Sequence, residues 1–185
     1  FADIRNFTAF CSVYSPRAAA EVLHQFFQLS SDIVARYGGV VEAFQGDAIM
    51  AVWDAHTPCD KAPQQALAAA QALLAAIPDL QWDQLIQAPE PLSVTIGLES
   101  GEALVGSFGA QLRRTHTVLG MPVTVAWRLQ GLTGELASSL LVGSEIYAQL
   151  SPVEQSQCVC LGQFLLEGLS QPQVVYAWQP QVLHA

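Results

Sequence analysis

The stretch GGVVEAFQGDAIMAVW, residues 38–53, decides the fold. Gly38 and Gly39 are a turn signal. Residues 40–44 form an apolar, β-prone run, Gln45, Gly46 and Asp47 a tight turn, and residues 48–53 a second apolar run. Two short strand-like runs joined by a glycine-bearing turn predict a β-hairpin with Asp47 at its tip. Alone, an acid in that place is a turn former. A second acid adds weight to it. Asp3, in FADIRNFT, ends an apolar opening run and precedes a polar turn. Two carboxylates at two strand ends are what a divalent-metal site requires.

Upstream of the hairpin, residues 1–4 read as the end of a buried strand, residues 5–8 as a polar turn, and the apolar residues to Val13 as a short piece without assigned structure. Ser15 and Pro16 predict a helix start, with Ser as N-cap and Pro at the first helical position. Val22, Leu23, Phe26, Phe27, Leu29, Ile33, Val34 and Tyr37 then recur at helical spacing, and Gly38 is the stop.

Downstream, residues 62–77 are Ala-rich and helical, and residues 79–91 are a surface connection. Residues 92–99 alternate as a strand, and 103–107 return after the turn at Ser100 and Gly101. Gly106, Gly109 and the polar residues around Gln111 mark another turn. Strands are expected at 114–119 and 140–142, helices at 122–130 and 144–150, and a closing strand pair at 159–166 and 174–178. This order predicts an α+β sandwich with helices on one face of a largely antiparallel sheet. In a β-α-β-β unit the end of the first strand lies beside the hairpin, so Asp3 and Asp47 face one pocket. The backbone N–H groups of Asn6, Phe7 and Thr8, in the turn after Asp3, are suited to phosphate oxygens without any basic side chain.

Composition bounds the chemistry. The chain has 185 residues, 51% hydrophobic and 12% charged, which fits one domain with a substantial core. A formal charge of −9 argues against a nucleic-acid polymer but not against a single nucleotide with metal. Cys11, Cys59, Cys158 and Cys160 form no C-x-x-C pair and read as reduced thiols of a cytosolic domain. No apolar run reaches the ~18 residues of a membrane span, so no membrane contact by the domain itself is expected. The opening at Phe1, without Met and inside an expected strand, is read as that of a piece of a longer protein, its parent open to membrane anchoring.

FADIRNFTAF, GGVVEAFQGDAIMAVW, TIGLESGEALVGSFG, THTVLGMPVTVAWRLQGLT and LGQFLLEGL…VVYAW resemble, in order and spacing, the successive blocks of the class III nucleotide cyclase catalytic domain. The resemblance covers essentially the whole chain, 1–185. It implies a ferredoxin-like βαββαβ sandwich with a C-terminal extension. It also implies a head-to-tail or wreath-like dimer, homodimer or cyclase heterodimer, with active sites at the interface. The implied reaction converts ATP, or another nucleoside triphosphate, to a 3′,5′-cyclic monophosphate and pyrophosphate in intracellular signal transduction.

The family's metal ligands match Asp3, Asp47 and the backbone carbonyl of Ile4, for two Mg²⁺ or Mn²⁺ ions per site. Its transition-state arginine matches Arg128, acting across the dimer interface, where a planar permanent cation suits charge growing on the transferring phosphoryl group. Asn6, Phe7, Thr8 and Gly46 fall in the nucleotide-binding blocks, and the second base-selecting position is Thr117, one of the family's adenylate-cyclase choices. Four positions depart from the pattern. Ala43 stands where the family has a purine-selecting lysine, Thr124 where it has the transition-state asparagine, Met121 in place of an aspartate and Asn6 in place of a glycine. Asn tolerates left-handed backbone better than most residues. The chain thus matches the metal-bearing half of an asymmetric pair while keeping Arg128. Two readings follow: an adenylate cyclase of low activity, or a catalytically weak cyclase-homology domain with a regulatory or heterodimer-partner role.

Among the other polar and aromatic side chains, Arg113 and Arg114 read as a solvated pair on a strand edge. His116 reads as packing, and His24, His56 and His184 as surface residues. Trp53, Trp82, Trp127 and Trp178 read as packing, with Trp127 near the dimer interface.

Overall fold

The computed structural model describes residues 1–55, 57–80, 92–110 and 113–179, the side chain of residue 113 apart. The opening hairpin is present. Strand β2 (Val40–Gln45) pairs antiparallel with β3 (Ala48–Val52) through a two-residue loop, Gly46 and Asp47. Gly46 takes φ 65°, the left-handed value that a glycine supplies at the first position of such a loop. Strand β1 (Ala2–Ile4) lies against β3, with Asp3 opposite Ala48, so the two acids meet at one end of the sheet.

Between β1 and β2 the chain forms α1 (Phe7–Val13) and α2 (Pro16–Arg36). The Ser15 side chain accepts from the Ala18 amide, as its sequence predicts for an N-cap. The expected polar turn is present at Arg5 and Asn6, and helix α1 takes its last two residues and the apolar piece to Val13. The helix is held by a run of ring contacts, Phe7 on Phe10 at 5.8 Å and Phe10 on Tyr14 at 4.4 Å. Helix α3 (Ala62–Ala76) follows the hairpin. Strand β4 (Val94–Leu98) returns to the other side of β1. The order β4-β1-β3-β2 is that of a ferredoxin-like sheet.

Strands β5 (Leu104–Ala110) and β6 (Arg113–Leu119) form a separate two-stranded arm. Its first strand runs on past the Gly106 and Gly109 turn that the sequence suggested. Helix α4 (Met121–Leu132) then leads to β7 (Leu140–Gly143), α5 (Ser144–Gln149), α6 (Pro152–Gln155), β8 (Cys158–Phe164) and β9 (Gln173–Trp178). These strands extend the sheet to seven, in the order β2-β3-β1-β4-β7-β9-β8. Only β4 and β7 run parallel among its pairs.

Helices cover both faces, not one. Ala2, Ile4, Val94, Ile96 and Leu140 form a core with Val22, Phe26, Leu67 and Leu73 from α2 and α3. Leu141, Val175 and Ala177 point the other way, against Val125 and Leu129 of α4. That is why every residue of β4 is buried, although its sequence alternates as if half exposed. A Cβ on Gly97 of β4 would lie 2.2 Å from the Ala126 carbonyl oxygen, so α4 sits directly on the backbone of β4.

No helix among the described residues is long and apolar enough to cross a membrane. All four cysteines are free. The connection at 79–91 falls almost wholly outside the described residues, as do His56, Trp82, Gln111, His184 and the side chain of Arg113.

Candidate active site

Asp3 and Thr95 are register partners on β1 and β4, so their side chains share a face, the one toward α4. Asp47 leaves the β2–β3 turn on the same edge. The Asp3 carboxyl is pushed up to about 7, first by burial, then by the neighbouring Asp47 carboxyl through direct contact and through its charge. Hydrogen bonds from the Ile4 backbone amide and the Gln130 side chain act in the opposite direction. Oδ1 of Asp3 is buried without a hydrogen-bond partner.

Two acids held against each other, one with an orphaned buried oxygen, fit a divalent cation. Among the described residues no group of three or more His, Cys, Asp and Glu side chains surrounds such an ion. The remaining oxygens of such a site would come from backbone, hydroxyl or amide side chains, water or bound ligand.

The other expected positions are distributed around this pair. Asn6 caps α1 with φ 61° and ψ 22°, the left-handed conformation its side chain tolerates. Phe7 and Thr8 open the first turn of α1, where backbone N–H groups lack intrahelical acceptors. Ala43 lies on β2 opposite Met50. Thr117 lies on β6 opposite Gly106. Strands β2 and β6 touch, which brings the two positions onto neighbouring elements.

Thr124 and Arg128 lie one turn apart on α4. Arg128 does not meet the acids in this protomer. Its NH1 donates to Oε2 of Glu167 at 2.6 Å, and its Nε is buried without a partner.

Several residues read as packing or surface behave as follows. His116 is exposed, not packed, with Nδ1 3.3 Å from the Ser107 hydroxyl across the β5–β6 arm. Trp53 donates to the Tyr37 carbonyl at 2.9 Å, and Trp178 to the Gln157 side chain at 3.2 Å. Trp127 stands edge-on to Phe1 with centroids 5.1 Å apart. Arg114 and His24 are exposed, in keeping with their sequence reading.

A cavity of about 600 Å³ opens at the other end of β1 and β3, beside Phe1, Trp53 and Glu99, and neither acid lines it. Glu99 there is a further buried acid, pushed up to about 7 by desolvation although it accepts from the amides of Ser100 and Ile146.

The sequence reading missed Gln130 and Thr95. Gln130 Nε2 donates to Thr95 Oγ1 at 2.8 Å and reaches Asp3 Oδ2 at 3.4 Å. A signal existed: Gln130 follows Ala126 and Leu129 on the helix face turned to the sheet, where an amide is out of place unless it has partners.

The whole arrangement matches known proteins. The family model for the adenylate and guanylate cyclase catalytic domain covers residues 1–179. The chain belongs to this family. A solved relative is the adenylyl cyclase CyaB from P. aeruginosa, with 27% identity and a TM-score of 0.82 over 97% of this chain and 91% of that one. The guanylyl cyclase Cya2 shares the fold, with a TM-score of 0.83 at 22% identity over 99% of this chain and 92% of that one.

Among curated cyclase relatives, adenylate cyclase 1 of Rhizobium meliloti is 30% identical over 80% of this chain and 22% of its own length. The adenylate cyclase of Anabaena cylindrica is 29% identical over 82% of this chain and 30% of its own. The chain thus spans less than a third of the length of these two relatives. As a cyclase domain it carries the α+β fold its sequence implied, and the acids of the hairpin and of β1 stand together within it.

Proposed function

We propose that this cyclase domain converts ATP to cyclic AMP and pyrophosphate, with Asp3 and Asp47 as its metal-binding acids. The observation that carries the reading is the facing pair of carboxyls with the unpartnered Oδ1 of Asp3. The preference for ATP is supported by the relatives named adenylate cyclase and by Thr117 at the base-selecting position.

In this reading the ribose 3′-hydroxyl gives up its proton to solvent and its oxygen attacks the α-phosphorus. The 3′-O–P bond forms, the bond from the α-phosphorus to the bridging oxygen breaks, and pyrophosphate leaves with that oxygen. The chain's own contributions are positioning and charge. Asp3, Asp47 and the Ile4 carbonyl would hold Mg²⁺ or Mn²⁺, two ions per site, which when bound supplies Lewis-acid polarisation of the phosphate and a lowered pKa at the 3′-hydroxyl. The first-turn amides of Phe7 and Thr8, with Asn6 and Gly46 at the adjoining turns, border the triphosphate. Ala43 and Thr117 border the base. Arg128, with Thr124 one turn before it, is supplied to the partner protomer's site in a homodimer or cyclase heterodimer. The domain acts from the cytoplasm in intracellular signalling.

Ala43 favours a second reading, a weak cyclase-homology domain that pairs with an active one. A methyl group forms no hydrogen bond to a base edge, and such a contact is worth on the order of 1–3 kcal/mol.

A turnover assay with ATP, GTP, CTP and UTP in Mn²⁺ separates these. The expected result is cyclic AMP formation, lowered ~100-fold or more by Asp47→Ala and raised by Ala43→Lys with Thr124→Asn. If neither the wild type nor the double variant turns over or binds a nucleotide with metal, the enzymatic reading is wrong. If only the double variant is active, the second reading stands.

A further inference from the structure

We infer that Gln130 is a positioning residue for the metal-binding carboxylate of Asp3, an inference that rests on the reading of Asp3 and Asp47 as metal ligands. Gln130 is 8% exposed, on the face of α4 pressed against β4. Its one side-chain nitrogen addresses two groups that the β1–β4 register places side by side, the Thr95 hydroxyl at 2.8 Å and Asp3 Oδ2 at 3.4 Å. A primary amide has two N–H groups, so both contacts are made at once.

The geometry sorts the two oxygens of Asp3. Oδ2 is tethered by the amide, while Oδ1 is buried with no donor. With one oxygen tethered, the planar carboxylate no longer turns freely. The unpartnered oxygen is then left for a cation. Thr95, itself 4% exposed, holds the amide in place by its better-formed bond.

The residue type suits the task. An amide donates without charge. A lysine or arginine here would compete with a cation for the carboxylate, and a glutamate would add a third negative group. Ligating carboxylates are in general held by such outer hydrogen bonds.

The position of Gln130 is itself fixed by the fold. The absence of a side chain at Gly97 lets α4 approach until a Cβ there would stand 2.4 Å from the Gln130 backbone nitrogen. On the next turn the Thr133 hydroxyl donates to the Gln130 carbonyl at 2.6 Å. The amide therefore approaches Asp3 from a rigid helix and not from a loop.

The test is Mn²⁺ binding to the purified chain, read by electron paramagnetic resonance of free Mn²⁺, for wild type, Asp47→Asn, Gln130→Met and Thr95→Val. Binding by the wild type that Asp47→Asn removes is the condition on which the inference rests. If the wild type shows none, the metal reading fails and takes this inference with it. Given that binding, Gln130→Met is expected to weaken it ~10-fold or more, with near-ultraviolet circular dichroism unchanged. In turnover, the Mn²⁺ concentration giving half activity should rise by a similar factor while kcat at saturating Mn²⁺ is largely kept. A loss under about three-fold in folded Gln130→Met, or a loss of kcat without a shift in the Mn²⁺ requirement, overturns the inference. Should Gln130→Met not fold, Thr95→Val decides. It frees the amide without touching Asp3, and is expected to weaken Mn²⁺ at least two-fold. Wild-type affinity in that variant overturns the inference.

Discussion

Arg128 on α4 is held by an ion pair that lies largely in solvent. Its guanidinium bonds Glu167 at 2.6 Å, yet the two side chains are 33% and 81% exposed. An ion pair so open to water contributes little, because solvent screens it and two long side chains lose freedom in making it. The pair therefore adds little to the stability of the fold. Glu167→Gln is expected to change the free energy of unfolding by less than ~1 kcal/mol in urea titrations. Arg128→Ala should likewise leave the fold intact but lower turnover ~100-fold, as loss of a donor to a developing charge does. A loss of several kcal/mol in Glu167→Gln would mean that the pair anchors the segment after β8 to α4.

At the scale of elements, the contact between α4 and β4 governs the site from behind. Gly97 is the residue that permits it. A Cβ at that position would stand 2.2 Å from the Ala126 oxygen and 2.4 Å from the Gln130 nitrogen, both backbone atoms that cannot rotate away. Gly97→Ala must therefore push α4 off the sheet. The expected cost is ~1–3 kcal/mol or more of stability, seen as a lowered Tm. A weakened Mn²⁺ affinity should accompany it, since Gln130 moves with the helix.

Such contacts mark the limit of what the chain's text reveals. The hairpin of β2 and β3, its acid and the strand of Asp3 were legible because alternation and turn chemistry are local. The N-cap of α2 was legible for the same reason. Helix α1 was not, since seven residues are too few to display a period, and its stability lies in the stacking of Phe7, Phe10 and Tyr14. Nor was the placement of α4 on the second face, which depends on packing against β7 and β9. Gln130 could be singled out as an amide on an apolar helix face, but not matched to its partner, because Asp3 is 127 residues away in sequence.

For the whole molecule, the remaining question is what covers the arm. Leu104 and Leu119 are register partners at the base of the β5–β6 pair, and they are 63% and 48% exposed. Met121, at the start of α4, is 63% exposed. Three large apolar side chains within so short a span are an unusual expense of surface for a chain carrying a net charge of −9. Their location favours a protein partner, because Arg128, on the same helix as Met121, is the side chain that the proposed mechanism lends to a second protomer. If this face is the dimer contact, a charge placed on it must be buried against the other protomer without a partner, and the cost of desolvating it opposes association. Leu104→Glu with Leu119→Glu is therefore expected to yield monomers in sedimentation experiments at concentrations where the wild type is dimeric. Turnover should fall with dimer content. The Tm of the monomer should hardly change, because side chains this exposed contribute little to the protomer's own core. A double variant that remains dimeric and active would assign the contact to another face.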